Sequence, residues 1–103
     1  MQLHAQSRTG TASFYGRAFD GKRMANGMPF DPKKLTCASR RYRLGTHLLV
    51  TYPTTGKSVV VVVTDRGPWK DGREIDLSEQ AAIQLGMHSH GTGQVTIEPL
   101  EDK

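Results

Sequence analysis

Five consecutive valines, Val59–Val63, bounded by Ser58 and Thr64, constrain this chain more than any other segment. β-branched side chains are stiff and favour extended backbone, so the run reads as a strand. It shows no alternation of apolar and polar residues, which predicts a strand covered on both faces, as in a barrel or sandwich. Burying each valine contributes roughly 1.5 kcal/mol or more, making this strand the expected spine of the fold. His47-Leu48-Leu49-Val50-Thr51-Tyr52 is a second strand, and Pro53-Thr54-Thr55-Gly56 has the length and chemistry of a hairpin connection.

The remaining segments are shorter. Thr11–Tyr15 reads as a first strand and Val95–Leu100 as a last one, limited by Pro99. Asp31-Pro32-Lys33-Lys34-Leu35 resembles one helical turn, with Asp31 as N-cap and Pro32 at the first helical position. The segment from Asp76 to Gly86 is the clear helix, capped by Asp76 or Ser78 and stopped by Gly86. Eleven glycines and five prolines are scattered between these elements and mark tight turns. At 103 residues the chain fits one domain, spanning 10–100 between polar tails at 1–9 and 101–103. The expected architecture is mainly β, a small closed structure with one inserted helix.

The net charge of +4 points to an anionic partner. Basic residues occur in short groups (Lys33-Lys34, Arg40-Arg41-Arg43), not as a long basic face interleaved with aromatics, which disfavours nucleic acid. No run of about 18 apolar residues exists to cross a membrane. Cys37 is the single cysteine, so no internal disulfide forms, and a buried apolar role is expected for it. The N-terminal residues contain no apolar leader core. His88-Ser89-His90 lacks a further ligand set at a recognisable spacing, so no metal and no cofactor are expected.

Asp65-Arg66-Gly67-Pro68, closing the valine run, is the expected functional centre. Its plain alternative is structural, with Asp65 accepting backbone N–H groups in a turn. An ordinary aspartate titrates near pH ~3.9, so an acid role needs desolvation or a neighbouring negative charge. An Arg66 guanidinium turned onto Asp65 would oppose that role; turned onto carbonyls, it would not. Asp76 carries the same ambiguity between helix cap and functional carboxylate. Tyr15, Phe19 and Trp69 offer ring faces for sugars, Trp69 being the one expected at the surface. Arg66, Arg73 and Lys70 suit carboxylates. Ser13 and Ser39 have no evident base and make poor nucleophiles.

Read in order, the segments Gly10–Gly16, Ala25-Asn26-Gly27, Phe30-Asp31, Leu44-Gly45-Thr46 and Gly56-Lys57-Ser58 carry a pattern. It continues through Asp65–Pro68, Gly72–Ser78, Ala81-Ala82 and Leu85-Gly86 into the final strand. This set resembles the rare lipoprotein A (RlpA) family of double-psi β-barrel domains over residues 10–100. The resemblance implies a six-stranded barrel with one or two short helices, and an exported, bacterial envelope domain acting on peptidoglycan glycan strands as a monomer. It also implies lytic transglycosylase activity, cleaving MurNAc–GlcNAc bonds to leave 1,6-anhydro ends.

By that resemblance Asp65 and Asp76 are the catalytic candidates, with Glu74 and Asp20 as possible helpers. Tyr15, Asn26, Met28, Ser39, Arg66, Trp69 and Arg73 are the substrate-binding ones. The chain departs from the family pattern at three places: Met28 stands for a usual glutamate, Ser39 for a usual histidine and Arg43 for a usual proline. The rival reading is a barrel that holds glycan without cutting it; a basic nucleic-acid-binding barrel is a third.

Overall fold

The computed structural model describes residues 7–100. Six strands form one closed barrel: β1 (Arg8–Phe14), β2 (Thr36–Ser39), β3 (His47–Tyr52), β4 (Lys57–Asp65), β5 (Ile75–Leu77) and β6 (Thr92–Pro99). Around the barrel they run in the order β1-β5-β2-β4-β3-β6. Two pairs, β1 with β5 and β2 with β4, are parallel; the other four are antiparallel. Closure leaves no free sheet edge, the standard hazard of a small β domain.

The valine strand is the spine, but its two faces differ. Val59, Val61 and Val63 are buried in the barrel, Val62 is half-buried, and Val60 is 40% exposed. The expectation that both faces are covered is therefore corrected. A closed barrel buries only its inner side, and the valines outside contribute strand stiffness and partial packing. Leu48 and Val50 of β3, opposite Val61 and Val59, join Ile75, Leu77, Val95 and Ile97 in the same core. Cys37 lies in this core as a free thiol.

The single α-helix among the described residues, α1, spans Glu79–Leu85 and packs beside β4. Ser78 is its cap, accepting the Ala81 N–H, and Gly86 ends it in the left-handed conformation at φ 77°. The helix starts later than its sequence pattern suggests, because Asp76 and Leu77 belong to β5. Asp76 is thus a strand residue and not a cap. The expected helical turn at Asp31–Leu35 is instead a turn in which Asp31 Oδ1 accepts the Lys33 N–H at 2.9 Å. Asparagine and aspartate side chains often replace helical hydrogen bonds in this way.

The first strand begins earlier than its sequence pattern suggests. Arg8 and Thr9, read as tail, pair with Ile97 and Thr96 in the barrel wall. Residues 1–6 and 101–103 lie outside the described residues. No helix among the described residues is long and apolar enough to cross a membrane.

Candidate active site

Strict alternation along β4 would turn Asp65 inward with Val61 and Val63. It does not happen, because the β2–β4 ladder shifts register. Cys37 opposes Val63, but the next residue, Ala38, opposes Asp65, leaving Thr64 as an extra residue on β4. Such a bulge re-aims the side chain that follows it. Asp65 accordingly lines an open cleft of about 470 Å³ and does not enter the core.

Ala38 has a second partner. Across the antiparallel β2–β5 ladder it faces Asp76. The two aspartates therefore flank one alanine in a three-strand stretch of sheet. Two strand spacings put their backbones roughly 10 Å apart. Both line the same cleft.

Each carboxylate has its own donors. Asp65 Oδ2 accepts the Tyr15 hydroxyl at 2.7 Å, and Oδ1 accepts the backbone N–H groups of Ala25 and Arg66, both at 2.9 Å. Asp76 Oδ1 accepts the hydroxyl of Ser13, its partner in the parallel β1–β5 ladder. Burial first, then the hydrogen bond to Asp65 and the charges of Asp65 and Asp76, push the Tyr15 phenol well above its ordinary range. Tyr15 therefore stays protonated and donates. Its ring stacks on Phe30 with centroids 4.5 Å apart and takes the edge of Phe19, which holds the hydroxyl in place.

Arg66 is turned away from its neighbour. One guanidinium nitrogen donates to the carbonyls of Ser39 and Tyr42, both at 2.7 Å. The arrangement that would oppose an acid role for Asp65 is absent. Beyond the carboxylates, Trp69, 75% exposed, and the half-exposed Phe19 present ring faces along the cleft wall, with Arg73 nearby.

Tyr15, Asp65, Arg66, Trp69, Arg73 and Asp76 thus come together on one cleft. The other expected site residues do not join them. Asn26 and Met28 line a neighbouring groove that shares only Met24 and Phe30 with the cleft. There Asn26 Oδ1 accepts the Met28 N–H, while the Met28 side chain is 58% exposed. Ser39 is buried, and its hydroxyl accepts the N–H groups of Arg41 and Tyr42, so its role is to shape the turn that receives Arg66. Asp20 belongs to the neighbouring groove, and Glu74 pairs with arginines outside the cleft. Lys70 does not line the cleft. His88 pairs with Glu79 and stacks on Phe14; among the described residues no group of three metal-ligating side chains forms.

Sequence reasoning missed two contributors. Ser13 was dismissed for lacking a base, yet it orients Asp76. Ala38, the residue between the two aspartates, gave no chemical signal at all.

A double-psi β-barrel family model described as "Lytic transglycolase" matches residues 7–97. The chain belongs to the RlpA-like double-psi β-barrel family. A Synechocystis protein named probable endolytic peptidoglycan transglycosylase RlpA is 48% identical over 92 residues, covering 89% of this chain and 29% of that protein. The Haemophilus influenzae endolytic peptidoglycan transglycosylase RlpA is 41% identical over 93 residues, covering 90% of this chain and 32% of the relative. The chain thus spans about a third of these RlpA proteins.

Among solved structures, the Streptomyces papain inhibitor superposes with a TM-score of 0.74 at 25% identity, covering 93% of this chain and 96% of the inhibitor. A Clavibacter michiganensis expansin superposes at 0.73 and 27% identity, over 94% of this chain and 52% of the expansin. The RlpA-like barrel is therefore shared with proteins of different names, and the fold alone does not specify the chemistry.

Proposed function

We propose that this RlpA-like domain is a lytic transglycosylase acting on peptidoglycan glycan strands in the bacterial cell envelope, as a monomer. The observation that carries this reading is the pair Asp65 and Asp76, flanking Ala38 on one open cleft with an exposed tryptophan on its wall.

Ordinary glycoside hydrolysis needs two carboxyl groups and a water. A lytic transglycosylase replaces the water with the C6 hydroxyl of the muramic acid itself. One carboxyl group donates a proton to the leaving glycosidic oxygen, the bond from that oxygen to C1 breaks, and the C6 oxygen bonds to C1. A carboxylate takes the C6 hydroxyl proton. Asp65, held by three donors, suits the acceptor role, because an ionised carboxylate is acceptor-only. Asp76, bonded to Ser13 through one oxygen, is the second carboxyl group proposed for this exchange. Trp69 and Phe19 supply apolar faces for the sugar rings.

Incubation with purified sacculi, followed by mass spectrometry for 1,6-anhydromuropeptides, tests the reading. Product is expected from the unchanged domain and at least about a hundredfold less from Asp65→Asn or Asp76→Asn. Activity that survives both substitutions would reject the assignment. The second reading, a domain that binds glycan without cleaving it, is favoured by Met28 and Ser39, neither of which carries a proton to the cleft. Co-sedimentation with sacculi without anhydro product would select it.

A further inference from the structure

Ser39 ends β2 with its side chain 2% exposed and does not line the cleft. Its hydroxyl oxygen accepts the backbone N–H of Arg41 at 3.0 Å and of Tyr42 at 3.1 Å. Serine side chains shape a following turn in this way. The turn presents two carbonyls, of Ser39 and Tyr42, to one guanidinium nitrogen of Arg66, each at 2.7 Å. Both hydrogens of that nitrogen are thereby used.

Charge alone would place Arg66 elsewhere. The turn that receives it carries Arg40, Arg41 and Arg43, of which only Arg41 has a carboxylate partner among the described residues, Glu74. Asp65 is next in the chain. Its three donors leave one of the roughly four acceptor sites of a carboxylate open to a guanidinium. Repulsion from the arginines and attraction from Asp65 act in the same direction. Two charge-assisted bonds to neutral carbonyls hold Arg66 against both.

We propose that Ser39 is a positioning residue: by closing this turn, its hydroxyl keeps the Arg66 guanidinium off Asp65 and so keeps that carboxylate a competent base. The inference rests on the proposed transglycosylase reading, in which a carboxylate takes the C6 hydroxyl proton. A guanidinium beside a carboxylate favours its ionised form, so it takes a proton less readily. Releasing Arg66 onto Asp65 therefore slows turnover more than it weakens binding. The other titratable or charged groups on the cleft are Tyr15 beyond β1, Lys22 and Arg23 in the loop before β2, Arg73 before β5 and Asp76 on β5.

The test measures kcat and KM on purified glycan strands from about pH 4 to 8. Ser39→Ala is expected to lower kcat about threefold to tenfold, with KM within about twofold, and to move the acidic limb of the profile to lower pH. Ser39→Thr keeps the oxygen and should keep the limb in place. The limb of Ser39→Ala/Arg66→Met should coincide with that of Arg66→Met alone, because no guanidinium remains to move. Ser39→Cys, a weak acceptor of similar size, makes the same comparison if Ser39→Ala does not fold. Independently of activity, NMR should show the Arg66 guanidinium N–H signals exchanging with water about tenfold faster in Ser39→Ala than in Ser39→Thr.

An acidic limb unmoved by Ser39→Ala would overturn the inference. So would a limb displaced equally with and without Arg66; the effect would then travel by another route, such as the bond from Arg40 to the Arg73 carbonyl at 3.0 Å. Absence of anhydro product from the unchanged domain rejects the enzyme reading, and the exchange measurement then decides alone whether Ser39 holds Arg66.

Discussion

Tyr15 donates its phenolic hydrogen to Oδ2 of Asp65 across 2.7 Å, joining the residue just past β1 to the last residue of β4. The contact spans fifty positions of sequence and exists because the β2–β4 bulge turns Asp65 outward. It fixes one carboxylate oxygen while two backbone N–H groups fix the other.

Tyr15→Phe removes that donor and keeps the ring on Phe30. The domain should stay folded and lose about 1 kcal/mol in urea denaturation. Release of anhydro product should fall about tenfold, the kinetic equivalent of one lost orienting hydrogen bond. An unchanged rate would remove Tyr15 from the positioning of Asp65.

Alkaline pH should destabilise the fold. Burial, aided by the charge of Asp76, pushes the Cys37 thiol well above its ordinary range, and burial with Asp65 does the same to Tyr15. Tyr42 is raised by burial too, partly offset by Arg8 and Arg41. In the unfolded chain cysteine ionises near pH ~8.5 and tyrosine near ~10. Above those values the unfolded state holds fewer protons than the native one, so stability falls as pH rises. The contribution is complete below pH ~8.5 and lost progressively above it. Urea midpoints from pH 7 to 11 should show the decline, and Cys37→Ala should remove its earlier part. A flat profile for the unchanged protein would contradict the burial of both groups.

Val60 and Val61 should respond unequally to threonine. Val61 is fully buried, so Val61→Thr places a hydroxyl in the core at a cost of about 1–3 kcal/mol. Val60 is largely outside, and Val60→Thr should stay within about 0.5 kcal/mol. Chemical denaturation of the two variants side by side measures the difference. Equal losses would restore the reading in which both faces of β4 are covered.

Trp69→Ala should separate binding from folding. The exposed ring has little core to lose, so the urea midpoint should hold within about 0.5 kcal/mol. Affinity for soluble glycan strands should drop about threefold to tenfold, measured by calorimetry.

The valine run, its hairpin partner and the Ser78 and Gly86 helix signals were legible in the sequence because each depends on neighbours in the chain. β2 and β5 were not: four and three residues long, they carry no readable period and persist only because strands on both sides satisfy their hydrogen bonds. The same dependence leaves Asp76 ambiguous in the sequence between helix cap and functional carboxylate, and it lines the cleft once Ser13 and Ala38 lie on either side.

The sequence by itself determined a β domain built around Val59–Val63 and drew attention to Asp65 at its end. Whether Asp65 faced the core or the solvent was decided only by tertiary structure. Side-chain direction at a strand's end is set by register with the partner strand, and one unpaired residue, Thr64, reverses it.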